Sequence, residues 1–375
     1  MSRAGHGLIK SRKRISPLPK IPEYVETKIS NIKAPLSQAQ HLSLTSRIAN
    51  MVFPYEWLAY ELENTLFPGN APKGFHREIS YSYLNSNVDK KKKGYEPMSE
   101  DVEHHQIETK LGTIVGVHVY RATNAEDNPK KVFVPLQGNT RPARYMNEIL
   151  EALTFDRTCA VIARDFVGYD LSSRVPNENG ALELAAIANE LAVYQYAVEM
   201  YPDAEIIPFC RSIGGLMLLI LLGFVKVNKV ILCVPFGELY PVMRKMAEKM
   251  ARYGLLRPCA GFVASLVVPK CIDMAFPKGC KVDELPGFET TGFQLASAIE
   301  ASNADFSGKS VLMFEAKDDD LIPRGQTQNL AAKLDAKAAK TKIVTLEGDH
   351  KALPWDEKNS HFALDEIKRF VENGL

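Results

Sequence analysis

The chain has 375 residues, 46% of them apolar and 24% charged, with a formal net charge of +1. That length carries one large domain with appended segments or two ordinary domains, and the composition is that of a globular protein. A balance so close to neutral excludes a global electrostatic pull toward nucleic acid or an anionic membrane.

The charge is unevenly placed. Residues 1–33 hold eight Lys/Arg against two Glu, a basic tail that reads as solvated. Residues 37–66 read as helical, with Leu42, Leu44, Ile48, Met51 and Val52 near helical spacing, and Lys90 to Lys93 mark an exposed loop. The first residues show no apolar stretch of the kind a secretory leader needs.

From about residue 104 the texture changes. Strands are expected at 104–111, 113–121, 131–137, 158–164, 205–210, 229–235, 309–315 and 341–347, rich in Val and Ile and bounded by Gly, Pro, Asn or Asp. Helices are expected at 142–154, 181–201, 213–226, 324–338 and 360–373. This alternation predicts an α/β fold, a mostly parallel eight-stranded sheet flanked by helices, with the first two strands as an antiparallel hairpin at one edge.

Residues 238–305 interrupt the alternation and read as mainly helical, the pattern of an insertion over an α/β core. The organisation is therefore an N-terminal helical extension at 1–100, a core from 101–237 and 306–375, and a helical cap at 238–305. The longest apolar run, residues 216–225, is ten residues long and too short to span a bilayer. Six cysteines (Cys159, Cys210, Cys233, Cys259, Cys271 and Cys280) form no C-x-x-C pair and have no His at zinc spacing. The expectation is a cytoplasmic protein with reduced thiols acting as small hydrophobes, and no metal.

The chemistry concentrates in Phe209-Cys210-Arg211-Ser212-Ile213-Gly214-Gly215, between a strand and an apolar helical run. A serine on so sharp a turn is strained and holds its hydroxyl out above the sheet. Small residues are needed two positions to either side. Gly214 supplies one, and Cys210 stands where Gly is preferred. A serine nucleophile needs a base, and the base needs an acceptor that fixes its tautomer. After the strand near 310–315 comes Ala316-Lys317-Asp318-Asp319-Asp320-Leu321-Ile322-Pro323, and after the strand near 342–346 comes Glu347-Gly348-Asp349-His350. His361, beyond it, falls on the last amphipathic helix and reads as a surface residue.

On these three segments, residues 104–375 resemble an α/β-hydrolase with a cap. The resemblance implies Ser212 as nucleophile, His350 as base and, counting four residues back from Pro323, Asp319 as acid. Asp318 and Asp320 stay open as alternatives, and Glu238 is an outside candidate. It also implies an oxyanion hole from the backbone N–H groups of Ile213 and of Asn139, in Gln137-Gly138-Asn139, where the family often has His-Gly. The stretch Arg164-Asp165-Phe166-Val167-Gly168-Tyr169-Asp170 resembles the family's loop after the fourth strand, with Asp165 structural.

The expected function is cleavage of an ester or thioester through a Ser-His-Asp triad and an acyl-enzyme. The expected partner is a small-molecule or lipid acyl substrate. Two alternatives are a hydrolase-fold binding or effector protein with a weak or dead site, and an acyltransferase using the same triad. No cofactor is expected, since neither a G-x-G-x-x-G after a strand nor a Walker loop is present. Nor is nucleic acid, since no aromatics interleave with Lys90–Lys93. The basic N-terminus and the cap are the candidate sites of peripheral membrane contact. In the cap, a helix from 238 to 255 sets Leu239, Met243, Met246 and Met250 beside Arg244, Lys245, Lys249 and Arg252. That face and the uncharged run 261–269 read first as packed core.

Overall fold

The computed structural model describes residues 102–121, 129–136, 143, 153, 159–169, 171–175, 181–215, 225–251, 260–301 and 306–375. The N-terminal extension, most of the helix expected at 142–154, the run 216–224 and Asn139 lie outside the described residues.

Eight strands form one sheet: β1 (Glu103–Glu108), β2 (Ile114–Arg121), β3 (Lys131–Leu136), β4 (Cys159–Arg164), β5 (Glu205–Arg211), β6 (Lys229–Cys233), β7 (Ser310–Ala316) and β8 (Lys340–Leu346). Their spatial order is β1-β2-β4-β3-β5-β6-β7-β8. β2 runs antiparallel to both β1 and β4, and every pairing from β4 through β8 is parallel. The predicted edge hairpin is present as β1–β2. The interchange of β3 and β4 carries no signal in a one-dimensional pattern.

Burial explains the strand sequences. β4 is buried along its whole length, and β3, β5, β6 and β7 nearly so, as strands covered on both faces must be. Cys159, Cys210 and Cys233 are free, buried thiols within these strands. The two edges carry charge instead. β1 holds Glu103, His104, His105 and Glu108, and β8 holds Lys340 and Lys342, which discourages further strand pairing.

Helix α1 (Ala181–Met200) is buried on nearly all sides in its first half. A buried Arg164–Glu190 ion pair joins it to β4. Between β6 and β7 lie α2 (Leu239–Ala251), α3 (Ala260–Ala275) and α4 (Leu295–Ala301). α2 packs on α3, while α4 packs on α5 (Gln326–Asp335), which with α6 (Ser360–Asn373) brackets β8. The segment carrying α2 and α3 departs from and returns to one place, where α4 begins. Glu238 and Gln294 form an antiparallel bridge, Leu239 N donates to Phe293 O, and Ala296 N donates to Gly237 O.

Candidate active site

The turn after β5 is built as the sequence requires. Ser212 has a positive φ of 51°, rare for a residue with a Cβ. Its N–H donates to Cys233 O at 2.9 Å across to β6, and its carbonyl accepts from Gly215 N at 3.0 Å. A Cβ on Gly214 would meet Leu136 Cγ at 2.9 Å and Leu136 O at 3.0 Å, so only glycine fits there. Cys210 lies in register between Leu136 and Leu232 and is buried, with burial pushing its thiol up to about 12. The place where glycine is preferred thus accommodates a neutral, inert thiol. Ile213 follows, its side chain buried.

The three adjacent aspartates differ once folded. Asp318 and Asp320 are exposed, whereas the Asp319 side chain is 11% exposed and its Oδ2 lies 2.9 Å from His350 Nδ1. Its Oδ1 accepts from Leu321 N at 2.9 Å and Ile322 N at 2.7 Å. Burial works to raise the Asp319 pKa. The hydrogen bond and charge of His350, with the N–H groups of Ile322 and Leu321, outweigh it and hold the carboxyl below the usual carboxylate range. An ionised Asp319 can only accept a hydrogen bond, so Nδ1 carries the ring proton and donates it to Oδ2, and the lone pair of a neutral His350 sits on Nε2. Glu238 is otherwise engaged. Its Oε1 accepts from Ser297 N at 2.9 Å and Ser297 Oγ at 2.7 Å.

Four supports were not singled out in the sequence. Arg211, the residue before Ser212, donates from Nη2 to His350 O at 2.5 Å. Asn359, fully buried ahead of α6, binds the His350 loop at both ends. It accepts from Glu347 N at 2.8 Å and donates to Glu347 O and Leu353 O at 3.2 Å. Lys245 Nζ donates to Asp319 O at 3.1 Å and Ile322 O at 3.2 Å. Glu183, buried in the first turn of α1, accepts from Thr291 N and Oγ1 at 2.7 Å and from Gly292 N at 3.0 Å. Only Arg211, through its adjacency to Ser212, carried any signal in one dimension. The partners of the other three lie elsewhere on the chain.

Asp165 is wholly buried and bound on every side. It accepts from Ala143 N at 2.9 Å and Leu171 N at 3.2 Å, and its Oδ2 lies 3.0 Å from His118 Nε2. His118 Nδ1 in turn meets His104 Nδ1 at 2.7 Å. This is a structural role, joining β1, β2 and the loop after β4. His361 is exposed on α6 against Phe362. Among the described residues no group of three or more His, Cys, Asp or Glu could hold a metal ion, and no helix is long and apolar enough to cross a membrane. A cavity of about 400 Å³ lies behind the acid loop, lined by Val234, Asp319, Ile322, Pro323 and Thr327 among others, and Ser212 and His350 do not line it.

No protein-family model matches the chain, and no curated protein sequence does. Solved structures do. The esterase Pf2001 of Pyrococcus furiosus superposes with a TM-score of 0.52 at 13% identity, over 72% of this chain and 90% of that one. DcsB, solved in complex with its substrate analogue, gives 0.51 at 12% identity over 73% and 100%. A lipase in its open form gives 0.51 at 11% over 73% and 99%. With the strand order, the antiparallel second strand and the turn after β5, these likenesses identify the chain's fold as the α/β-hydrolase fold.

Proposed function

We propose that the protein is a serine hydrolase acting on an ester or thioester bond, with Ser212, His350 and Asp319 as its triad. The observation that carries this reading is the pair of contacts converging on His350. Asp319 binds its ring nitrogen Nδ1, and Arg211, the chain neighbour of Ser212, binds its carbonyl. The strained Ser212 turn and the likeness to an esterase and a lipase support it.

In this mechanism His350 Nε2 takes the Ser212 hydroxyl proton as Oγ attacks the acyl carbonyl. The carbonyl π pair moves onto oxygen, where the N–H groups of Ile213 and Asn139 stabilise the charge. Collapse expels the alcohol or thiol, which leaves with the proton from His350. Water, deprotonated by the same imidazole, then releases the acid and regenerates Ser212. Asp319 stays ionised throughout and stabilises the imidazolium. The helices between β6 and β7 serve as the cap that shapes the acyl pocket.

Treatment with a fluorophosphonate is expected to place one adduct on Ser212. Ser212→Ala is expected to lose the adduct and hydrolysis of short p-nitrophenyl esters by at least about 10³-fold. Undiminished hydrolysis in Ser212→Ala ends this reading.

A further inference from the structure

The carboxylate of Asp319 is aimed by its own loop. Oδ1 is held by the N–H groups of residues 321 and 322, so the direction of Oδ2 toward His350 follows the backbone of 319–322. Both ends of that short turn are tied by one ammonium group. Lys245 Nζ donates to the carbonyls of Asp319 and Ile322, at 3.1 and 3.2 Å. Lys245 does not belong to the core strands that carry Ser212, Asp319 and His350. It sits on α2, six residues past the start of that helix.

The base of that helical segment is pinned. Glu238 pairs with Gln294, the Glu238 carboxylate caps the start of α4 through Ser297, and Glu238 N donates to Gln326 Oε1 at 3.1 Å. Glu183 holds Thr291 and Gly292 from below. A Cβ at Gly292, whose φ is 64°, would meet Phe276 O at 2.8 Å, so this attachment is tightly fitted. With the base fixed, α2 reaches the acid loop through a side chain whose four-carbon stem is flexible but whose head makes two charge-assisted hydrogen bonds.

We propose, resting on the triad assigned above, that Lys245 is a positioning residue. It fixes the acid turn so that Asp319 meets His350, and it makes the alignment of the triad depend on where α2 sits. A ligand pressing on α2 is then felt at the carboxylate. Lys245 donates to no triad side chain and acts only through the turn's backbone. Two charged groups bond His350 directly, Asp319 at Nδ1 and Arg211 at the carbonyl oxygen, and residue 245 makes neither bond, so changing it reaches them only through the turn.

The test compares Lys245→Met and Lys245→Arg with the wild-type full chain, and Lys245→Gln stands in if the methionine variant does not fold. The His350 ring N–H bound to Asp319 is expected to give a far-downfield proton resonance in the wild type, which requires no turnover to observe and whose absence there overturns the proposal. The resonance is expected to vanish or broaden in Lys245→Met and to persist in Lys245→Arg. For p-nitrophenyl butyrate, kcat is expected to fall about 10- to 100-fold in Lys245→Met, the range for loss of an orienting contact, with KM within about twofold and substantial recovery in the arginine variant. An unchanged resonance in Lys245→Met overturns the proposal, as does equal loss in both variants. Ser212→Ala, measured beside them, scores the hydrolase reading separately, because the resonance reports the turn whether or not Ser212 is the nucleophile.

Discussion

Ser212 occupies a backbone region that costs an L-residue about 1–2 kcal/mol, and Val234, at φ 47° after β6, shares it. Both residues belong to the carboxyl edge of the sheet. Ser212 N is bonded to Cys233 O, and Val234 N donates to Phe314 O at 2.7 Å. The strain is thus held in place by ladder-like bonds to neighbouring strands. Replacing Ser212 by alanine removes the hydroxyl and keeps the strain, whereas glycine removes both. Ser212→Gly and Ser212→Ala should therefore be equally inactive, yet the glycine variant should be the more stable by up to about 1 kcal/mol after its extra unfolded-state entropy. For a chain of this size that is a rise in melting temperature of about one or two degrees. Calorimetry on the two variants decides it, and a glycine variant melting no higher than the alanine one means the turn is unstrained. The same scale explains why the sequence alone could not separate the three aspartates. Asp318, Asp319 and Asp320 are chemically identical neighbours, and a motif count could only lean on Pro323. The fold separates them by pointing the middle carboxylate at His350 and leaving the flanking two exposed.

At the scale of elements, the loops matter more than the strands that precede them. The strands were legible because buried parallel strands need short unbroken apolar runs bounded by turn residues, and 158–164 and 309–315 supply them. What holds the loops was not legible, because each support comes from a distant residue. Asn359 illustrates this. It stands at the N-cap position of α6 but makes no side-chain cap bond there; its side chain instead closes the His350 loop by binding Glu347 on both its N–H and its carbonyl, and Leu353 on its carbonyl. Asn359→Ala removes three part-buried hydrogen bonds, each contributing about 0.5–1.5 kcal/mol net. We expect a loss of about 2–4 kcal/mol in urea unfolding. We also expect at least a tenfold fall in kcat, because His350 no longer has a fixed loop beneath it. Full activity in a destabilised Asn359→Ala would show that the loop is held by its other contacts, such as Arg211 on His350 O and Ala352 N on Asp349 O.

On the scale of the whole molecule, two carboxyls among the described residues, the part-buried Asp319 and the buried Glu183, are perturbed in opposite directions. Asp319 is held below the ordinary carboxylate range, so its contribution to stability is present above the unfolded value of about 4 and is lost as pH falls through the lower folded value. Glu183 is the reverse. Burial pushes it up to about 7, against the N–H groups of Thr291, Gly292 and Phe293 and the Thr291 hydroxyl, which favour the ionised form. Above its unfolded value of about 4.3 the unfolded chain has released this proton while the folded one keeps it, so stability must decline as pH rises from there to about 7 and then level off. The size of that decline is on the order of 3 kcal/mol. Glu183→Gln abolishes the titration. It adds a constant penalty, because the amide turns a donor toward a backbone N–H, but no slope. The stability difference between wild type and Glu183→Gln should therefore change steadily between about pH 4 and 7, with the wild type losing ground as pH rises, and stay flat above that. Chemical unfolding at a series of pH values measures it. Parallel curves for the two proteins across this window would mean that the N–H groups at the base of the helical segment fully offset burial, and that Glu183 stays ionised as a permanent tie between α1 and residues 291–293.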